Sequence, residues 1–405
     1  MNRVVITGMG IVSPIGNSPE TVWESLVNGR TGVGPVESWE KIKDLNVTMA
    51  GQCRGYDPAR IKRKDRRTMG RMAVMASLST LDAVAMSGLD PLFFSSGQAG
   101  VAMGSTTGSG DVIEQTFNDF YTTGGISRLE GTTFMKIMNH SVAANVAAML
   151  KIRGRVVSPC SACATSTQAI GQGFEMIRDG YQTVMLCGGA DELHPSTAGV
   201  FDVLHAASRK RSSDPDKSPR PFDFDRDGLV VSEGAAVLVL EAYDHAVKRG
   251  AEILAEIKGY NTNCDGAHMT SPQSEGMRDC MQGALDQSGC GPGDIDYINA
   301  HATGTRLGDA AESSAVRQIF KDRVPVSATK GYTGHTLAAS GSMETIFSLL
   351  MMKYNAVIPT LNLDRIDPDC DGICHVQEMI RKPVRTIMTS NFAFGGINAT
   401  LVLKK

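Results

Sequence analysis

Two stretches of this chain, 156–176 and 324–346, read alike by pattern, and this weak internal repeat constrains the fold more than composition does. Each runs from a short strand through a polar turn into a helix of small residues. The buried strands Thr183 to Gly189 and Arg385 to Ser390 echo one another in the same way. A chain built so is a duplicated α/β protein in which equivalent strand ends meet at one site. The expected halves are 1–250 and 251–405, and strands alternating with helices predict a mostly parallel sheet.

In the first copy the run Val156-Val157-Ser158-Pro159-Cys160-Ser161-Ala162-Cys163 breaks from strand to helix at Cys163. The residues after the break are free of proline and place Ile170, Phe174 and Ile177 on one helical face. Cys163 is therefore expected at a helix N-terminus, where unpaired N–H groups and the dipole favour a thiolate. From this stretch alone it is either an activated nucleophile or a small residue filling a turn. Two histidines bear on the choice. The strand Ile295 to Ala300 ends directly in His301-Ala302-Thr303-Gly304-Thr305, and the strand ending at Thr329 leads to Lys330 and His335. Strand ends followed by glycine turns are where α/β proteins carry functional groups, so a cysteine and two histidines at such turns point to catalysis.

Elsewhere the chain is ordinary. Of 405 residues 42% are hydrophobic and 20% charged, and the net charge of −3 offers no basic excess for nucleic acid. Nine scattered cysteines and no leader before the strand at Val4 to Thr7 suggest a reducing, cytoplasmic setting. No apolar run approaches the roughly 18 residues of a membrane span. Gly8-Met9-Gly10 resembles a dinucleotide-binding turn, but Ser13 and Pro14 stand where the third glycine and the phosphate-binding helix belong, which argues against an oxidoreductase. The basic cluster Arg60 to Arg67 precedes an apolar helix from Met69 to Met86, and a second helix is expected from Phe134 to Ile152. The polar stretch Ser208 to Gly228 reads as a long surface loop. Cys370 and Cys374-His375 lack a second ligand pair, so no metal site is expected.

Four segments together carry a resemblance over the whole chain: Ser161-Ala162-Cys163, Asn299 to Thr305, Ser327 to His335, and Asn391-Phe392-Ala393-Phe394-Gly395-Gly396-Ile397-Asn398. In this order they resemble the signatures of elongating β-ketoacyl-acyl-carrier-protein synthases of the synthase I/II branch. The resemblance implies the thiolase fold, a duplicated α/β unit in αβαβα layers, working as a dimer. It implies that Cys163 takes the acyl chain as a thioester, while His301 and His335 bind the malonyl thioester and promote loss of CO2. Two imidazole N–H donors suit the enolate oxygen that decarboxylation creates. By the same resemblance Lys330, Glu344, Asp309 and Glu312 hold the histidines in place, and the N–H groups of Cys163 and Phe394 form a second oxyanion hole. Thr303 and Thr305 would meet the phosphopantetheine arm, which arrives on the acyl carrier protein and leaves no cofactor for the chain itself. Asp265 and Thr270 match a loop that moves with the gate at Phe392 and Phe394. Arg63, Lys64 and Arg67 would dock the acidic carrier.

Three positions depart from the family pattern: Ala302 and Ala393 replace glycines, and Asn391 replaces serine. They put substrate choice in doubt, because polyketide and aryl-polyene pathways use related synthases. Such synthases are often paired with a silent chain-length factor, so the dimer is a homodimer or a heterodimer with that homologue. Cys163 with both histidines argues against this chain being the silent partner.

Overall fold

The protein, described by a computed structural model over residues 1–211 and 213–405, carries fifteen strands among the described residues. In chain order they are β1 (Val4–Val12), β2 (Val33–Pro35), β3 (Met49–Gly51), β4 (Ala99–Gly104), β5 (Val156–Val157), β6 (Val184–Asp191), β7 (Gly234–Ala242) and β8 (Ala255–Cys264). Next come β9 (Tyr297–Ala300), β10 (Pro325–Ala328), β11 (Ala356–Val357), β12 (Cys374–His375), β13 (Ile380–Arg381), β14 (Thr386–Ala393) and β15 (Ile397–Lys404). Eleven of them form one sheet ordered β12-β10-β9-β14-β15-β8-β1-β7-β6-β4-β5.

That order carries the duplication. Outward from the central β1–β8 pair, one side runs β1, β7, β6, β4, β5 and the other β8, β15, β14, β9, β10, with β12 added at the edge. In chain rank both sides are first, fifth, fourth, second and third, and the pairings match in direction: two antiparallel, then two parallel. The expectation of a mostly parallel sheet is thus corrected to an evenly mixed one. Its cause is partly local: β14 and β15 form a hairpin through Gly395 (φ 87°) and Gly396 (φ 70°), and so short a connection permits only antiparallel pairing.

Three apolar clusters define the layers. The helices Thr165–Arg178 and Ser340–Tyr354 lie in the middle, where Ile170, Phe174, Ile346 and Phe347 pack against strands of both halves. Arg71–Ser87 and Ser141–Leu150 cover the first half from outside, and Ser274–Ser288 with Arg306–Phe320 cover the second. The result is the αβαβα arrangement of the thiolase fold. Residues 340–352 of the central helix are all buried, which is why that stretch is apolar or small around its whole circumference apart from Glu344.

Two further expectations change. The helix expected from Phe134 to Ile152 is two, Thr133–Ile137 and Ser141–Leu150, broken at Met138 (φ −70°, ψ 140°). At the break the Asn139 amide turns to the carbonyls of Ser105 and Thr106 at 3.4 and 3.0 Å, exchanging helix continuity for contact with the end of β4. The expected surface loop is buried in its second part: Arg220, Phe222, Asp223 and Arg226 are all at most 4% exposed. The charges are tolerated because they are paired. Arg226 donates to Asp367 at 2.6 Å and to the carbonyl oxygens of Asp223 and Arg306, both at 3.0 Å, while Asp223 accepts the N–H groups of Asp364 and Arg365.

Candidate active site

Each copy of the repeated turn contains a strained residue. Ala162 (φ 46°) precedes Cys163 in a 3₁₀ turn that passes into the helix at Thr165, and Leu337 (φ 49°) opens the matching turn that passes into the helix at Ser340. Side chains with a Cβ resist such angles, and the strain aims Cys163 away from its own helix toward the second half. There its Sγ lies 2.8 Å from His335 Nε2. The rings of His301 and His335 stand edge to face with centroids 5.3 Å apart, and the sulfur and one nitrogen of each histidine lie within 4.8 Å of one another. All three residues are buried.

Hydrogen bonds behind the rings orient them, and for His301 they select the tautomer. The Asn391 amide and the Lys330 ammonium donate to His301 Nδ1 at 3.0 and 3.2 Å, which leaves the proton on Nε2. Ser340 Oγ lies 3.0 Å from His335 Nδ1, where a hydroxyl can donate or accept, so the second ring can carry its proton on either nitrogen. Glu344 receives both Lys330 and Asn391, the latter at 2.7 Å. The backbone of the His301 turn is pinned from the helix Arg306–Phe320. Glu312 accepts the N–H groups of His301 and Ala302 at 2.7 and 2.6 Å, and Asp309 accepts those of Thr303 and Gly304 at 3.0 and 3.1 Å. Arg226 stands 3.8 Å from Asp309.

Burial dominates the electrostatics. Desolvation lowers the proton affinity of both imidazoles well below its usual range, Lys330 adding to the effect, so both are neutral N–H donors at neutral pH. Burial likewise pushes the Cys163 thiol up to about 12 against the opposing charge of Lys330, which corrects the expectation of a thiolate stabilised by the helix terminus. The resting pair is therefore a thiol facing a neutral imidazole, and forming the thiolate requires transfer of its proton, for which His335 Nε2 is in reach. Glu312 is pushed to about 8 and Asp309 to about 6, also by burial. The ammonium beside His301 disfavours a metal cation between the three residues.

A pocket of about 490 Å³ opens onto this cluster. Of the site residues singled out from the sequence, Cys163, His301, His335, Thr303, Thr305, Thr270, Glu312, Phe392 and Phe394 line it. Lys330, Glu344 and Asp265 do not, and they act from behind. Asp265 receives the Asn398 amide at 2.7 Å and donates its N–H to the Gly396 carbonyl at 2.8 Å, joining the 264–273 loop to the hairpin turn. Phe392 is buried with its ring 6.2 Å from that of His301, whereas Phe394 is 37% exposed and leans on Phe201 at 5.7 Å. Arg63, Lys64 and Arg67 are exposed and line no part of the pocket, whose walls instead include Lys210 and Arg306. In the sequence Asn391 stands out only as a departure bearing on substrate. It sits on His301 and Glu344, so its effect falls on the histidine. Ser340 and Arg226 escape a sequence reading altogether, the first for want of any motif and the second because a polar run reads as exposed.

Comparison with known proteins agrees with this geometry. The N-terminal domain of beta-ketoacyl synthases matches residues 1–246 and their C-terminal domain residues 254–364. The chain is 38% identical over 407 residues to 3-oxoacyl-[acyl-carrier-protein] synthase 1 of Haemophilus influenzae, covering 100% of this chain and 99% of that one. A beta-ketoacyl synthase crystal structure from Burkholderia phymatum superposes with a TM-score of 0.97 at 42% identity, each chain covered completely. The ishigamide ketosynthase/chain length factor superposes at 0.91 with 30% identity, covering 100% of this chain and 99% of that one. With both domains matched in order along one duplicated fold, this chain belongs to the beta-ketoacyl synthase family.

Proposed function

We propose that this chain is a β-ketoacyl-acyl-carrier-protein synthase, an acyltransferase that joins an acyl thioester to malonyl carrier by decarboxylative Claisen condensation in fatty-acid elongation. The observation that carries the reading is the Cys163–His335 contact with His301 alongside, at the floor of a pocket open to a long substrate. In the first step Cys163 Sγ, its proton passing to His335, attacks the acyl thioester carbonyl. The bond to the carrier's phosphopantetheine sulfur breaks, and that thiol leaves with a proton. In the second, malonyl carrier loses CO2, and the Nε2–H groups of His301 and His335 bind the enolate oxygen. The enolate carbon attacks the Cys163 thioester, and the β-ketoacyl carrier departs as Cys163 regains a proton taken up from solvent through His335. The N–H groups of Cys163 and Phe394 hold the tetrahedral oxyanion. Thr303 and Thr305, whose hydroxyls are 3.0 Å apart on the pocket wall, meet the arm. The reaction calls for no metal and no cofactor beyond the phosphopantetheine that the carrier brings. Intact-mass analysis after incubation with a panel of acyl carriers tests the reading: one acyl group added per chain supports it, and no adduct with any carrier contradicts it. Preferential loading of conjugated chains would place the enzyme in a polyene or aryl-polyene pathway.

The two halves, 1–250 and 251–405, contribute the nucleophile and the histidines respectively. A dimer is supported by an exposed apolar surface at Phe117, Phe120, Tyr121, Ile126 and Phe134, continuous with the helix Gly110–Thr123. Its second subunit is another copy or a chain-length-factor homologue. Nine free cysteines favour a reducing cytoplasm, and no helix of the described residues is long and apolar enough to cross a membrane.

Arg63, Lys64 and Arg67 hold the body of the carrier beside the pocket. Exposed pairs contribute about 0.2 to 1 kcal/mol each, so reversing all three charges should raise the KM for carrier several-fold at low ionic strength and less in salt. An unchanged KM at low salt places docking elsewhere. The gate gives a further expected result. Ala393 ends β14 opposite Ile397, and the positive angles of the turn fall on Gly395 and Gly396. An opened gate that needs positive φ at 393 is penalised by roughly 1 kcal/mol with alanine there. Ala393→Gly should then change relative loading of short, long and conjugated acyl carriers several-fold, and equal rates across all three would rule the effect out.

A further inference from the structure

The duplicated turn has a second copy to which the condensation assigns no part. Aligning the strained residues Ala162 and Leu337, and the helix starts Thr165 and Ser340, sets Ala338 at the position of Cys163. In the first copy the N–H of that position is the one assigned to the oxyanion. In the second, the Ala338 N–H donates to the carboxylate of Asp191 at 2.8 Å. Asp191 ends β6, is 1% exposed, and accepts two more bonds, from the N–H and the hydroxyl of Thr106 at 2.9 and 2.6 Å. A carboxylate thus fills the anion position of the second turn permanently. The approach is close: a Cβ on Gly189, two residues earlier in β6, would lie 2.3 Å from the Ala338 carbonyl oxygen.

We infer that Asp191 is a positioning residue for the Cys163–His335 pair, bracing through Ala338 the turn that follows His335 and setting a fixed negative charge behind the thiol. The inference rests on Cys163 being the nucleophile and His335 its proton acceptor. Ala338 lies between His335 and Ser340, whose hydroxyl meets His335 Nδ1, so a displaced turn misdirects the imidazole. The groups whose charges act at Cys163 are Lys330, which favours the thiolate, and Asp191 and Glu344, which oppose it, beside the neutral His301 and His335. Around Asp191 itself the neighbouring charge is Glu192 on the same strand end, and burial raises Asp191 to about 6, so it is ionised at neutral pH.

Asp191→Asn keeps the shape while removing the charge and one acceptor. Two readings are taken on the whole protein: the pH dependence of Cys163 alkylation by iodoacetamide, and steady-state condensation with malonyl carrier. The expected results are an alkylation profile shifted to lower pH and a kcat lowered at least tenfold with KM for malonyl carrier within about twofold. A purely structural role would not move the profile toward easier ionisation. Thr106→Val serves as a second variant, independent of whether Asp191→Asn folds. It leaves the Ala338 bond and the Asp191 charge, since a carboxyl at about 6 stays ionised where the thiol titrates, and removes one donor that holds the carboxylate in place. It should therefore lower kcat by less than Asp191→Asn does and leave the profile where the parent has it. An Asp191→Asn profile that coincides with the parent's, or a Thr106→Val kcat equal to the parent's, overturns the inference. Cys163→Ala, run alongside, must lose acyl loading; if it does not, the nucleophile reading fails separately.

Discussion

Cys163→Ala is expected to lose both acyl loading and condensation, while Cys160→Ala keeps both. The two cysteines are three residues apart, so the contrast tests geometry rather than composition. Cys160 is exposed and lies against the Asn139 amide at 3.0 Å and the Thr106 carbonyl at 3.6 Å, with no imidazole in reach. Cys163 sits beyond the strained Ala162 with its sulfur on His335 Nε2. Removing a nucleophile from an enzyme that works through a covalent intermediate costs on the order of 10⁶-fold, because no other group takes over the step. Intact mass and product formation check this together. A thioester adduct that survives in Cys163→Ala sinks the assignment, and loss of activity in Cys160→Ala alone shows that the nucleophile is the other cysteine.

Removing either histidine should abolish CO2 release from malonyl carrier to the extent of roughly 100- to 1000-fold, the usual cost of one oxyanion donor. The structure separates the two in the preceding step. His335 touches the sulfur and the thiol is held protonated by burial, so His335→Ala also loads slowly. His301 contacts Lys330 and Asn391 instead and should load at the parent rate when replaced by alanine. Loading rates and CO2 release measured on the same preparations give the pattern. Either variant releasing CO2 at the parent rate contradicts the enolate role, and equal loading by both contradicts proton transfer through His335.

The parts of this site that are legible in the sequence are those carried by short contiguous patterns. A strand running into a turn of small residues announces Cys163, and two strand ends closing on His301 and His335 announce the rest. The duplication shows because its turns repeat in chain order. The parts that are not legible depend on contacts between distant segments. Asn391 meets His301 across 90 positions, and nothing in Asn391-Phe392 marks that contact. Arg226 and Asp223 look solvated in a run of Pro, Asp and Arg, and become buried only because Asp367, Asp309 and the 364–365 backbone turn toward them. The state of the thiol is hidden for a related reason. The favourable helix terminus is local and visible, whereas the desolvation that outweighs it comes from packing two halves together. Gly395-Gly396, part of a motif in the sequence, is also the hairpin turn that makes β14 and β15 antiparallel.

In this mechanism one sulfur holds the acyl chain while malonyl carrier is decarboxylated against it. Protein acylated on Cys163 and freed of excess donor, mixed with malonyl carrier in a single turnover, puts that requirement to the test. The expected products are β-ketoacyl carrier two carbons longer than the loaded chain and one CO2 per product, with Cys163 returning to its unmodified mass at the same rate. An acyl-Cys163 that persists while CO2 is released, or product formed while the adduct remains, would contradict it.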